Sequence, residues 1–131
     1  GGIKLWYTNN GTLINNNCST VPGSGIGSDY CKNITVSDNL IEDIGGHGIY
    51  VSDSTNNTVK HNQIRNQGKT GIYVNLVSVE GNNTLYNNTI NGWTNGEKGI
   101  SLGGSCRECR VLNNTLINNT ENGISIGSLA D

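Results

Sequence analysis

The sequence predicts an all-β solenoid in which short parallel strands stack coil upon coil, and three observations carry that expectation. A Gly-Ile phrase opens at Gly2, Gly25, Gly48, Gly71, Gly99 and Gly123, at intervals of 23, 23, 23, 28 and 24 residues. A near-constant period in this range marks a repeat architecture. Within each interval, apolar phrases of strand length alternate with Gly, Asn, Asp and Ser, which suits extended segments with sharp corners and no helix. An asparagine also recurs at one place in the period, at Asn16, Asn39, Asn62, Asn88 and Asn114.

The first strand of each coil is the Gly-Ile phrase itself, as in Gly48-Ile49-Tyr50-Val51 and Gly71-Ile72-Tyr73-Val74. The second is centred on Leu13, Val36, Val59, Leu85 and Val111, and the third on Cys18, Ile41, Ile64, Ile90 and Leu116. One coil cannot bury its apolar residues alone, so the coils must stack at about 4.8 Å and share one core. About five and a half coils of 23 to 28 residues then form a single domain over residues 1–131, a rod on the order of 25 Å long with uncapped ends. The lone proline, Pro22, falls in a corner, where it removes no ladder hydrogen bond. The asparagine column reads as an inward ladder, because identical amides one coil apart can donate to and accept from each other.

The pattern Gly-Ile-x-Val-x-x-Ser-x-x-Asn-x-Val-x-x-Asn-x-Ile resembles the single-stranded right-handed parallel β-helix repeat. That repeat occurs in pectate-lyase-like enzymes, in NosD-like periplasmic proteins and in cell-surface proteins, including asparagine-rich envelope or sheath proteins of archaea. The resemblance spans nearly the whole chain and implies a right-handed coil. It specifies a fold and leaves function to the site.

Composition excludes several partners. A net charge of −2 offers no basic stripe for nucleic acid or an anionic membrane surface. No apolar run approaches the roughly 20 residues needed for membrane insertion as a helix. The 131 residues contain no Phe or Met and are only 33% hydrophobic, which suits a narrow solenoid core. The chain opens directly on the strand phrase Gly1-Gly2-Ile3, which reads as a processed form or an excised part of a longer precursor.

Four cysteines in an exported chain of this size favour oxidation over metal binding. Cys18 points inward on the first coil, Cys31 lies on the second, and Cys106 and Cys109 lie on the fifth. Three coils, roughly 14 Å, separate Cys31 from Cys106, too far for a disulfide. Cys18 with Cys31 and Cys106 with Cys109 are the feasible intrachain pairs, and cross-links between molecules are the alternative. Cys106-Arg107-Glu108-Cys109 has no second ligand pair at a suitable distance, so neither a metal nor another cofactor is expected. Eight Asn-x-Ser/Thr triplets begin at Asn10, Asn17, Asn33, Asn56, Asn82, Asn87, Asn113 and Asn118, each a glycosylation candidate if the chain is exported.

Catalytic groups are sparse. Gly45-Gly46-His47-Gly48 resembles the Gly-His-Gly segment of polygalacturonases, but the aspartates that work with that histidine have no counterpart here, and His47 reads as a corner residue. Asp38 and His61 share a column on adjacent coils beside Lys60 and Tyr86, an acid, a base and an aromatic of the kind a uronate lyase or epimerase needs. The epimerase segment Tyr-Gly-Phe-Asp-Pro-His is absent. Tyr50 and Tyr73 stack outward on neighbouring coils, and with Trp93 they form a candidate carbohydrate face.

The first functional expectation is an exported structural protein. Copies of it would stack head-to-tail through open ends into a cell-surface filament, hoop or sheath held by asparagine ladders and disulfides. The alternative is a β-helix domain that binds or acts on polysaccharide. On balance the sequence leans away from an enzyme.

Overall fold

A computed structural model describes residues 2–78, 81–92 and 97–127. Gly1 and residues 128–131 lie outside that range, and with them the expectation of uncapped ends. Trp93 also lies outside the described residues. The described strands form three parallel sheets. Sheet one stacks β1 (Ile3–Trp6), β4 (Ile26–Asp29), β7 (Ile49–Ser52), β10 (Ile72–Leu76), β13 (Ile100–Gly104) and β16 (Ile124–Ile126). Sheet two stacks β2 (Thr12–Ile14), β5 (Thr35–Ser37), β8 (Thr58–Lys60), β11 (Thr84–Tyr86) and β14 (Arg110–Leu112). Sheet three stacks β3 (Asn17–Val21), β6 (Leu40–Ile44), β9 (Gln63–Gln67), β12 (Thr89–Asn91) and β15 (Thr115–Ile117).

Register follows the sequence period. Ile26, Ile49, Ile72 and Ile100 align across sheet one, and all four are fully buried. Val36, Val59 and Leu85 align in sheet two, and Ile41, Ile64 and Ile90 in sheet three. Together they make one continuous core. The glycines before Ile26, Ile49, Ile72 and Ile100 are required by close approach: a Cβ at Gly48 would stand 2.5 Å from Ile64 Cγ2, a separation no packed side chain tolerates.

The asparagine ladder forms as expected at the corner between sheets two and three. Asn16 Nδ2 donates to Asn39 Oδ1, Asn39 to Asn62, Asn62 to Asn88 and Asn88 to Asn114, at 2.9 to 3.0 Å. Each backbone N–H from Asn16 to Asn88 donates to the same oxygen. A second inward ladder stands at the corner between sheets one and two, where Ile34 N–H donates to Asn57 Oδ1 and Asn57 N–H to Asn83 Oδ1. Asn83 Nδ2 in turn donates to the Ser54 carbonyl.

Each coil also turns through left-handed backbone at fixed corner slots, one holding Asn10, Asn33, Asn56 and Asn82, another Asn15, Asp38, His61, Asn87 and Asn113. Asparagine is among the few residues with a side chain that enter this region at low cost, which gives a further reason for the asparagine content.

Candidate functional site

Strand alternation sends every second residue of sheet one outward. One outward row runs Lys4, Gly27, Tyr50, Tyr73 and Ser101, and the row beside it runs Trp6, Asp29, Ser52, Asn75 and Gly103. Tyr50 and Tyr73 are half-buried, with ring centres 5.6 Å apart. His47, at the corner just before Gly48, closes a three-ring cluster, 5.7 Å from Tyr50 and 4.8 Å from Tyr73.

Gly27 contributes no side chain between Lys4 and Tyr50, and the gap is a groove of about 300 Å³ that Ser24 and Asp29 also line. Lys4 Nζ reaches Asp29 Oδ2 at 2.6 Å. The hydrogen bond and charge of Asp29 raise the Lys4 pKa, so Lys4 stays cationic. Burial, and then the nearby Lys69 charge, lower the pKa of His47 against smaller opposing effects of the Thr70 backbone and Glu97. At neutral pH His47 is therefore an uncharged ring packed on tyrosine.

The sequence-predicted face divides in two. Asp38, His61, Lys60 and Tyr86 do come together, but at the second corner of the coil and away from Tyr50 and Tyr73. His61 Nδ1 stands 3.6 Å from Asp38 Oδ1, its ring lies edge-on to Tyr86 at 5.6 Å, and Lys60 Nζ sits 5.9 Å from the Tyr86 ring centre. Asp38 and His61 occupy the left-handed corner slot that Asn15, Asn87 and Asn113 fill on other coils. The acid–base column is thus first a turn position, and about half of each side chain is solvent-exposed.

The cysteine expectation needs correction. Cys106 and Cys109 are disulfide-bonded, with Cα atoms 5.6 Å apart. Cys18 and Cys31 are free and buried. Cys18 lies on β3 opposite Ile41 in sheet three. Cys31 sits at a corner beyond β4, where Sγ donates to the Asp29 carbonyl and accepts from the Thr8 N–H. The two thiols belong to different walls of the coil.

Among the described residues no group of three His, Cys, Asp or Glu could hold a metal ion, and no helix is long and apolar enough to cross a membrane. The sheet-one face offers aromatic surface, a cation and hydroxyl groups, a set suited to holding a sugar chain. Its carboxylate, Asp29, is committed to Lys4. Sequence reasoning passed over Lys4 and Asp29 and left His47 as a corner residue. The signal was the Gly27 gap in an otherwise side-chain-bearing row.

Residues 1–90 match the family model described as right handed beta helix region. Among solved structures the chain is similar to the A-module of the mannuronan C-5 epimerase of Azotobacter vinelandii, with a TM-score of 0.68 at 14% sequence identity. The alignment covers 91% of this chain and 37% of that one. At such identity the likeness is one of fold. No curated protein matches the sequence.

Proposed function

The chain belongs to the right-handed β-helix family, and on that scaffold we propose that the outer face of sheet one binds acidic polysaccharide. The observation that carries this is the Tyr50–Tyr73–His47 ring cluster beside the Lys4–Asp29 groove. Aromatic faces take the apolar C–H faces of pyranose rings, and a cationic Lys4 gives a uronate carboxylate a charge-assisted partner. The solved relative is by name an epimerase of mannuronan, a polyuronate, which supports the same substrate class. The face suits recognition more than turnover, since Asp29 is paired and His47 is enclosed by tyrosine. The Cys106–Cys109 disulfide supports a site of action outside the reducing cytosol.

Affinity electrophoresis in gels containing polyuronate, with a neutral glucan as control, tests this. The native chain should be retarded by the polyuronate alone. Tyr50→Ala and Tyr73→Ala should each weaken binding at least tenfold, and Lys4→Gln several-fold. Unretarded native protein, or tyrosine variants that bind normally, would refute it.

A second reading, head-to-tail stacking of copies into a surface assembly, draws on β16, the last of the described strands in sheet one, where Ile124 and Ile126 are 49% and 75% exposed. Further coils of the same polypeptide would cover that strand equally well, so oligomeric state decides between them. Filaments or rings at micromolar concentration would support stacking, and a monomer in light scattering would end it.

A further inference from the structure

Five of the Asn-x-Ser/Thr triplets are the identical tripeptide Asn-Asn-Thr, beginning at Asn56, Asn82, Asn87, Asn113 and Asn118. Asn118 Nδ2 donates to Asn91 Oδ1 at 3.2 Å, and the other four form two matched pairs. Asn56 and Asn82 share one corner slot on adjacent coils, with φ of 55° and 58°, and both are exposed. Asn87 and Asn113 share the next slot, with φ of 53° and 50°, and both are exposed. Sequence, backbone and exposure are therefore alike within each pair.

What differs is the amide nitrogen: among the described residues neither Asn56 Nδ2 nor Asn113 Nδ2 donates a hydrogen bond. Asn82 Nδ2 donates to Asn56 Oδ1 at 2.6 Å, and Asn87 Nδ2 contacts His61 Nε2 at 3.4 Å. Asn56 is only the acceptor in its pair, and its own Nδ2 makes no hydrogen bond to Asn33 below, whose Nδ2 is given to Asn10. Asn56 also borders a polar groove of about 370 Å³ lined by Thr55, Gly81, Asn82, Arg107 and Glu108, a concave seat beside its amide.

N-glycosylation needs that nitrogen. Nδ2 attacks the anomeric carbon of a glycosyl pyrophosphate donor, an N–C bond forms, and the C–O bond to the pyrophosphate breaks. The pyrophosphate leaves with the electron pair, and one Nδ2 proton passes to a base of the transferase. An Nδ2 already engaged by a neighbouring side chain must first leave that contact and turn outward. We propose that the folded chain is an N-glycan acceptor at Asn56 and Asn113, and that the contacts with Asn56 and with His61 protect Asn82 and Asn87.

The test offers purified, folded, disulfide-intact protein to an oligosaccharyltransferase with a glycosyl pyrophosphate donor, followed by peptide mapping. Occupancy at Asn56 and Asn113 should exceed that at Asn82 and Asn87 at least fivefold, and the unfolded, reduced chain should lose the distinction. Asn56→Gly keeps the left-handed corner and removes the Asn82 acceptor, so occupancy at Asn82 should rise several-fold. Equal occupancy in the folded chain, no transfer to it at all, or an Asn82 site unmoved in Asn56→Gly would each overturn the proposal.

Discussion

Replacing Asn62 by alanine removes the middle rung of the ladder. Its Oδ1 accepts from the Asn39 backbone N–H at 3.1 Å and from Asn39 Nδ2 at 2.9 Å. Its Nδ2 donates to the Val36 carbonyl at 3.0 Å and to Asn88 Oδ1 at 2.9 Å. After truncation Asn39 Nδ2 keeps the Leu13 carbonyl, and Asn88 Oδ1 keeps the residue-62 N–H. The Asn39 N–H keeps nothing. An orphaned buried donor costs about 1 to 3 kcal/mol, and the vacated volume in a fully buried site adds about 1 kcal/mol. Asn62→Ala should therefore lose about 2 to 4 kcal/mol in urea denaturation. Asn16→Ala is the control. That side chain is half-buried and donates to Asn39 Oδ1 and the Ile14 carbonyl, so its loss should cost about 1 kcal/mol or less. Equal destabilisation by the two variants would refute the account of the ladder.

Three further outcomes follow from the interior. Neither amide atom of Gln67 has a partner among the described residues, although the side chain is fully buried opposite Ile44, so Gln67→Leu should stabilise the fold by about 1 to 2 kcal/mol in the same denaturation assay. His47 has its pKa lowered in the folded state, so the unfolded chain takes up its proton more readily. The contribution of His47 is then present above its ordinary value of 6.5 and is lost as pH falls through that range; thermal melts at pH 5 to 8 should show this acid-side loss, reduced in His47→Gln. Burial raises the pKa of the Cys18 thiol, so maleimide should label Cys18 only after unfolding, and rapid labelling of the native protein would contradict its placement.

Much of the fold was legible because the solenoid repeats its demands. Each coil needs a glycine where the sheet-three isoleucine approaches, an inward apolar residue on each wall and an amide at the second corner, and these recur in register from Asn16 to Asn114. The second ladder was hidden because its slot changes chemistry: Asn57 and Asn83 hold it on two coils, while at the same corner the Cys31 N–H donates to Ser54 Oγ. Asp38 and His61 suggested acid–base chemistry because a column in the sequence carries no dihedral angles, and only the left-handed backbone at that slot shows the local constraint. The pairing of Cys18 with Cys31 failed for a related reason. Coil number places two residues along the rod, whereas a disulfide also requires them to meet around the coil, and Cys18 lies on β3 while Cys31 sits at the corner beyond β4. The site itself joins residues whose sequence positions give no hint of it. Lys4 meets Asp29 across neighbouring coils, and His47 reaches Tyr73 because its corner leans over the outer face of sheet one.

The binding face is tested most directly by a heteronuclear NMR titration of the folded chain with a defined oligouronide. Saturable shift changes confined to Lys4, Ser24, Gly27, Asp29, His47, Tyr50 and Tyr73, and abolished in the Tyr50→Ala, Tyr73→Ala double variant, are the predicted result. No shifts at millimolar oligouronide, or shifts centred instead on the Asp38, Lys60, His61 and Tyr86 corner, would contradict it.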